Sequence, residues 1–283
     1  MSSPDTTSRS VNIEEPVDTE QSTNWLTPPR LTVLAYAAAF AGAEAVGAFI
    51  NIPLQAGLEA ILLIIAVNHA VFGFRNRQTA GLVMSVLFAS RLIAITLPSD
   101  SPSIGTRTAI LAAVMIFAVS MAERVLGPDV ISAGMPKRLH LKKPLVSARI
   151  TTLAVAALGI PLGFAVASIL DTQKIDVGPV AGVAAIGWGV LIAALVLGAA
   201  AEELVYRRLV AAMLHHTART QAPWISGAIF AASYMGTGNA AMIGLMFVAG
   251  AIFAWSCERT GSLVGPITAH AIASVLALVV LAG

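Results

Sequence analysis

Charge is scarce in this chain. Only 11% of its 283 residues are Asp, Glu, Lys or Arg, and none of these falls between Gly182 and Ala201. A soluble protein of this length needs a far larger polar surface, so a water-exposed globule is excluded. Cysteine occurs once, at Cys257; an internal disulfide framework is ruled out, leaving a small apolar packing residue. Aromatics make up 6% of the sequence and interleave with no basic face, so nucleic acid is not an expected partner. Large apolar side chains are nearly missing from Met1 to Pro29, a stretch rich in Ser, Thr, Asp and Glu. Such a composition cannot bury enough surface to fold alone, which predicts a disordered cytoplasmic tail over residues 1–29. A cleavable signal peptide is not expected, because the first apolar segment starts near Leu31, behind that tail.

What the chain has in quantity is apolar length. Hydrophobic residues make up 57% of the sequence, and mean hydropathy is +0.82. Apolar segments fall at 31–50, 58–74, 79–97, 108–127, 146–169, 180–206, 222–236, 239–257 and 262–282. A spanning helix takes roughly 20 residues, so most of these qualify, while 222–236 is short enough to be re-entrant. The expected fold is therefore all-α, a polytopic transmembrane bundle of eight or nine spans. Arg75 and Arg77 follow the second segment, Lys137, Arg138, Lys142 and Lys143 the fourth, Arg207, Arg208 and Arg219 the sixth, and Arg259 the eighth. Nine crossings put these basic stretches on one side, which the positive-inside rule makes cytoplasmic, with the N-terminus inside and the C-terminus outside. The chain divides into N-terminal helices over 30–134, a basic cytoplasmic loop over 135–145 and a second helical unit over 146–283. No internal repeat is visible.

Each intramembrane charge is costly, so each carries information. In the first half, Glu44 and Arg91 both lie about 18–20 Å deep at 1.5 Å per residue, which predicts an ion pair locking helices together. Glu59 is expected at the outer interface, and His69 is expected to be hydrogen-bonded within the bundle. In the second half, Glu202-Glu203-Leu204-Val205-Tyr206-Arg207 closes the uncharged run. On a helix Glu203 and Arg207, four apart, face each other, while Glu202 points about 100° away. One structural acid and one reactive acid is a reading of that spacing; two acids capping a helix at the interface is the other.

Further motifs follow in order. Phe230-Ala231-Ala232-Ser233-Tyr234 comes first, then Arg259-Thr260-Gly261-Ser262-Leu263, then His270-Ala271-Ile272-Ala273-Ser274. Together with the acid pair, these resemble the CPBP family of intramembrane proteases, which includes CAAX prenyl endopeptidases and bacteriocin-processing proteins. That family shows Glu-Glu-x-x-x-Arg, Phe-x-x-x-His, an Arg-Thr-Gly-Ser-Leu-type turn and His-x-x-x-Asn, and the resemblance covers about residues 180–282. Tyr234 stands here in place of the second motif's His, and Ser274 in place of the last motif's Asn.

The resemblance implies an endopeptidase in which Glu202, with Glu203 as the second candidate, activates a water in a membrane cavity. It implies assistance from position 234 and oxyanion stabilisation by His270 and position 274. The candidate site is therefore Glu202, Glu203, Arg207, Tyr234, His270 and Ser274. Tyrosine is a poor proton acceptor near neutral pH, with a usual pKa of about 10, so a second expectation stands beside the first. It is a catalytically silent scaffold or assembly factor binding a membrane partner through the same cavity. A small-molecule transporter ranks behind both. No cofactor or metal is expected. The expected partners are a membrane protein or peptide and the lipid bilayer, with the chain integral to a bacterial plasma membrane.

Overall fold

A computed structural model describes residues 28–73, 75–97, 104–127, 145–172, 187–211, 213–214 and 219–282. The tail ahead of Pro28 and most of the basic stretch 135–145 lie outside the described residues. The described residues are helical, with no strand among them.

Among the described residues the α-helices run in order: α1 (Pro28–Phe49), α2 (Ile52–Phe72), α3 (Arg75–Thr96), α4 (Ile104–Leu126), α5 (Leu145–Ala157), α6 (Gly159–Thr172), α7 (Trp188–Glu203), α8 (Ala222–Ala232), α9 (Ala240–Thr260) and α10 (Val264–Ala282). Local chemistry sets several of their ends. Asn51 caps α2 by accepting the Leu54 N–H at 2.8 Å, and Asn239 caps α9 by accepting that of Met242 at 3.0 Å. Gly261 ends α9 at φ +64°, its N–H donating to the Cys257 carbonyl at 2.8 Å; this left-handed conformation is why glycine sits in the Arg-Thr-Gly-Ser turn. Helices α5 and α6 form one span, Val146–Thr172, interrupted at Leu158. Pro161, having no N–H to give the preceding turn, accounts for the break.

Among the described residues, eight helices are long and apolar enough to cross a bilayer. The seventh apolar segment, 222–236, does not add a ninth span: α8 has 11 residues, about 16 Å at 1.5 Å per residue. It still returns the chain to the far face of the bundle. One cavity is walled by Leu170 near the end of α6, Thr237 and Met242 at the start of α9, and Leu281 near the end of α10. Those three ends therefore share a face.

Outward surfaces are apolar, with Phe49, Ile64, Phe72 and Leu153 each at least 69% exposed. Such a surface is a liability in water and is matched by acyl chains in a bilayer. Inside, a single core cluster runs through both halves of the chain, from Phe40 and Phe88 to Leu209 and Phe230. Helix α4 packs on α7, and α1 on α8.

Two close approaches position the second half. On α6, a Cβ at Gly159 would lie 2.4 Å from the Ala269 carbonyl oxygen, and one at Gly163 would lie 3.0 Å from that of Ala273, so α10 rests against a smooth α6 face. Gly227 of α8 and Gly250 of α9 meet in the same way, a Cβ at Gly250 falling 3.0 Å from the Gly227 Cα. Small residues let membrane helices approach backbone to backbone.

The polar residues of the first half hold partly to expectation. Glu44 accepts from Arg91 Nε at 2.5 Å and from its Nη2 at 2.7 Å, a two-pronged pair joining α1 to α3. The Tyr36 hydroxyl and His69 Nδ1 are 2.6 Å apart, so His69 is satisfied within the bundle. Glu59 departs from the interfacial position expected of it. It is fully buried, and neither carboxylate oxygen has a hydrogen-bond partner. The helical periodicity of α2 turns it inward, where it lies in the field of Glu44 and Arg91.

Candidate functional site

The acid pair sits where α7 changes character. The chain leaves α-helical hydrogen bonding at Glu203 and runs as a π-helix from Leu204 to Val210. Such wide turns are rare and are found frequently at functional sites. The sequence, read as regular α-helix, gives no sign of it. The turn is pinned from outside by Arg208, which pairs with Glu123 of α4, its Nη2 lying 3.3 Å from Oε2.

Glu203 is fully buried and closed off. Its Oε2 lies 3.1 Å from Arg207 Nε, and its Oε1 lies 3.1 Å from His270 Nδ1. Arg207, itself buried, donates from Nη1 to Ser226 Oγ at 3.0 Å, and its guanidinium lies 4.9 Å from the centre of the Phe230 ring. This is a buried ion pair with a hydrogen bond and an aromatic face attached, the arrangement that makes two buried charges tolerable. Ser226 had no sequence signal to mark it.

Glu202 differs from its neighbour in every respect. Its side chain is 35% exposed against 0% for Glu203. It lines a cavity of about 230 Å³ together with Arg91, Thr108, Tyr206, Ser233 and Tyr234. Its closest charged neighbour in this cluster is His270, whose Nε2 lies 3.9 Å from Oε2, beyond hydrogen-bond range. His270 therefore stands between the two acids, holding Glu203 through one ring nitrogen and facing Glu202 with the other. Glu203 is thus enclosed while Glu202 opens onto the cavity, a difference that spacing alone left open.

His270, on the first turns of α10, is kept in place by the ring of Phe230, edge to face at 5.9 Å. Phe230 also touches Tyr234, edge to face at 5.4 Å. Tyr234 lies just beyond a helix end. It follows the last turn of α8, and its carbonyl accepts the Thr237 N–H at 3.0 Å. That position makes it a wall of two cavities. On one side is the polar cavity of Glu202. On the other is an apolar cavity of about 270 Å³, lined by Leu162, Phe230, Met246, Phe253, His270 and Ser274 among others.

All six expected residues thus gather around two adjoining cavities. Glu202 and Tyr234 face the polar one, His270, Ser274 and Tyr234 the apolar one, and Glu203 and Arg207 lie behind. One residue arrives unexpectedly. Arg91, read from the sequence as a helix lock of the first half, lines the polar cavity together with Glu202 and Tyr234. Its depth was legible, but its direction was not. Among the described residues, no group of three or more His, Cys, Asp and Glu side chains is placed to hold a metal ion.

Residues 183–276 match the family model of the Type II CAAX prenyl endopeptidase Rce1-like proteins, a match consistent with a CPBP-family protein. It takes in all six candidate residues and leaves out Glu44 and Arg91. No curated protein and no solved structure matches the chain.

Proposed function

We propose that this chain is a divergent membrane-embedded endopeptidase in which Glu202 activates a water molecule against a membrane-proximal peptide bond. The observation that carries this reading is the asymmetry of the acid pair. Glu203 has both oxygens engaged by Arg207 and His270, while Glu202 opens onto a cavity. A base must reach water and substrate, and only Glu202 of the two can.

The chemistry balances with the groups at hand. Glu202 takes a proton from water as the water oxygen bonds to the substrate carbonyl carbon. The carbonyl oxygen becomes an oxyanion, within reach of donors such as the Tyr234 hydroxyl at the junction of the cavities. Collapse breaks the C–N bond as Glu202 returns its proton to the leaving amine, giving a carboxylic acid and an amine. His270, held by Glu203, presents Nε2 towards Glu202 at 3.9 Å. The apolar cavity suits a hydrophobic portion of the substrate delivered from the bilayer.

Tyr234 also supports a second reading, because it stands where the resembled pattern has a histidine. In that reading the cavities bind a membrane partner without cleaving it. One experiment separates the two: the full chain in proteoliposomes, presented with a set of fluorescence-quenched, lipid-tailed peptides. Glu202→Gln should abolish cleavage while leaving the unfolding temperature intact, and Tyr234→His should raise cleavage. Wild-type turnover indistinguishable from that of Glu202→Gln would leave only the silent scaffold.

A further inference from the structure

The hydrolysis needs a strong donor for the charge that builds on the carbonyl oxygen, and of the motif residues only Tyr234, a neutral donor, shares the cavity of Glu202. His270 is committed to Glu203 through Nδ1. Ser274 lines the apolar cavity, away from the cavity of Glu202. That cavity is also lined by a cation from outside the matched segment. Arg91 is the one cationic side chain among the described residues lining it.

Arg91 is built unlike a simple helix lock. Glu44 is completely buried, whereas the Arg91 side chain is 24% exposed. A guanidinium carries five N–H donors. Glu44 engages Nε and one hydrogen of Nη2, which leaves the outer edge of the fork for the cavity. The pair is formally neutral, so it does not invite a permanent anion beside Glu202. A carbonyl oxygen that is neutral in the substrate and charged only at the peak of the barrier is a different matter. Fixed donors facing such an atom in a water-poor site stabilise the transition state more than the ground state.

We propose that Arg91 is a further catalytic residue, the donor that receives the developing oxyanion in the cavity it shares with Glu202, and that Glu44 is its positioning residue. This rests on the peptidase reading above and adds a participant from the N-terminal helices. The Glu44 carboxylate grips two nitrogens at 2.5 and 2.7 Å, fixing the plane of the guanidinium. A donor fixed before the substrate arrives needs no reorganisation during the reaction.

The test uses the full chain in proteoliposomes with the lipid-tailed peptides and two variants. Arg91→Ala should lower kcat by about 10²–10³, the usual loss of one oxyanion donor, with little change in KM. Added guanidinium ion should restore part of that kcat. Because Arg91→Ala leaves Glu44 buried without its partner, a Glu44→Gln plus Arg91→Gln double variant provides a form with no leftover charge. It should fold and show the same kcat loss.

A binding measurement needs no turnover: a lipid-tailed peptide amide against the same peptide with a trifluoromethyl ketone at the scissile carbonyl, whose hydrate mimics the tetrahedral adduct. The wild type should prefer the ketone by at least about 100-fold, and the double variant should lose that preference. A wild type without the preference, a double variant that keeps it, or a loss that falls on KM alone overturns the assignment. Failure of the underlying peptidase reading shows itself separately, as turnover that Glu202→Gln does not reduce.

Discussion

Neighbouring residues of one type can carry opposite duties, and Glu202 and Glu203 are separated here by what surrounds them. Glu203 depends on Arg207 and His270; remove Arg207 and a carboxylate is left buried beside apolar walls. Arg207→Ala should therefore destabilise the fold by about 3–5 kcal/mol, the usual consequence of breaking a buried pair. Glu202→Ala should change stability far less, since Glu202 faces a cavity. Thermal unfolding in detergent measures both, and equal losses would show that the acids are not divided in this way. At this scale the sequence was informative in proportion to chemistry per residue. Charges are rare in the chain, so Glu202, Glu203 and Arg207 stood out, while His270 was marked by the motif it belongs to. Ser226 and Tyr206, polar groups of ordinary type in ordinary positions, did not. Glu59 was misplaced because its depth was counted without the direction of its helix face.

Elements place these side chains by close backbone contact. Helix α6 presents Gly159 and Gly163 to α10, and the contact leaves no space for even a methyl group beside Ala269 and Ala273. Gly159→Ala should push α10 outward, lower the unfolding temperature and disturb His270, one residue past Ala269. Gly42 of α1 is the control. A Cβ there meets nothing within 4 Å, so Gly42→Ala should be neutral or stabilising by roughly 0.5–1 kcal/mol through backbone entropy. Thermal melts of the two variants check this, and a tolerated Gly159→Ala would mean the contact is looser than described. Helix existence was plain from apolar length. The π-helix from Leu204 to Val210 and the early end of α8 at Ala232 were not, because both depend on tertiary packing rather than local pattern.

For the whole molecule, the bundle is polytopic and its two halves share a core and a cavity wall. The sequence divides at the basic loop, and division in sequence conceals contact in space. Arg91 of α3 and Glu202 of α7 line one cavity, although nothing in the chain links them. The distribution of Lys and Arg predicts the sidedness. Single cysteines at Lys142 and Arg219, in a Cys257→Ala background, should react with impermeant reagents only from the cytoplasmic side. Cysteines at Thr172 and Gly283 should react only from outside. An externally labelled Arg219 position would overturn the expected orientation.

The central claim is that water activated by Glu202 cuts a peptide bond in this membrane. Cleavage of the lipid-tailed peptides in ¹⁸O-labelled water tests it most directly, with mass spectrometry of the new C-terminal carboxylate. The account predicts one ¹⁸O atom in the product released by the wild type and no such product from folded Glu202→Gln protein. Labelled product formed at the wild-type rate by Glu202→Gln would contradict it.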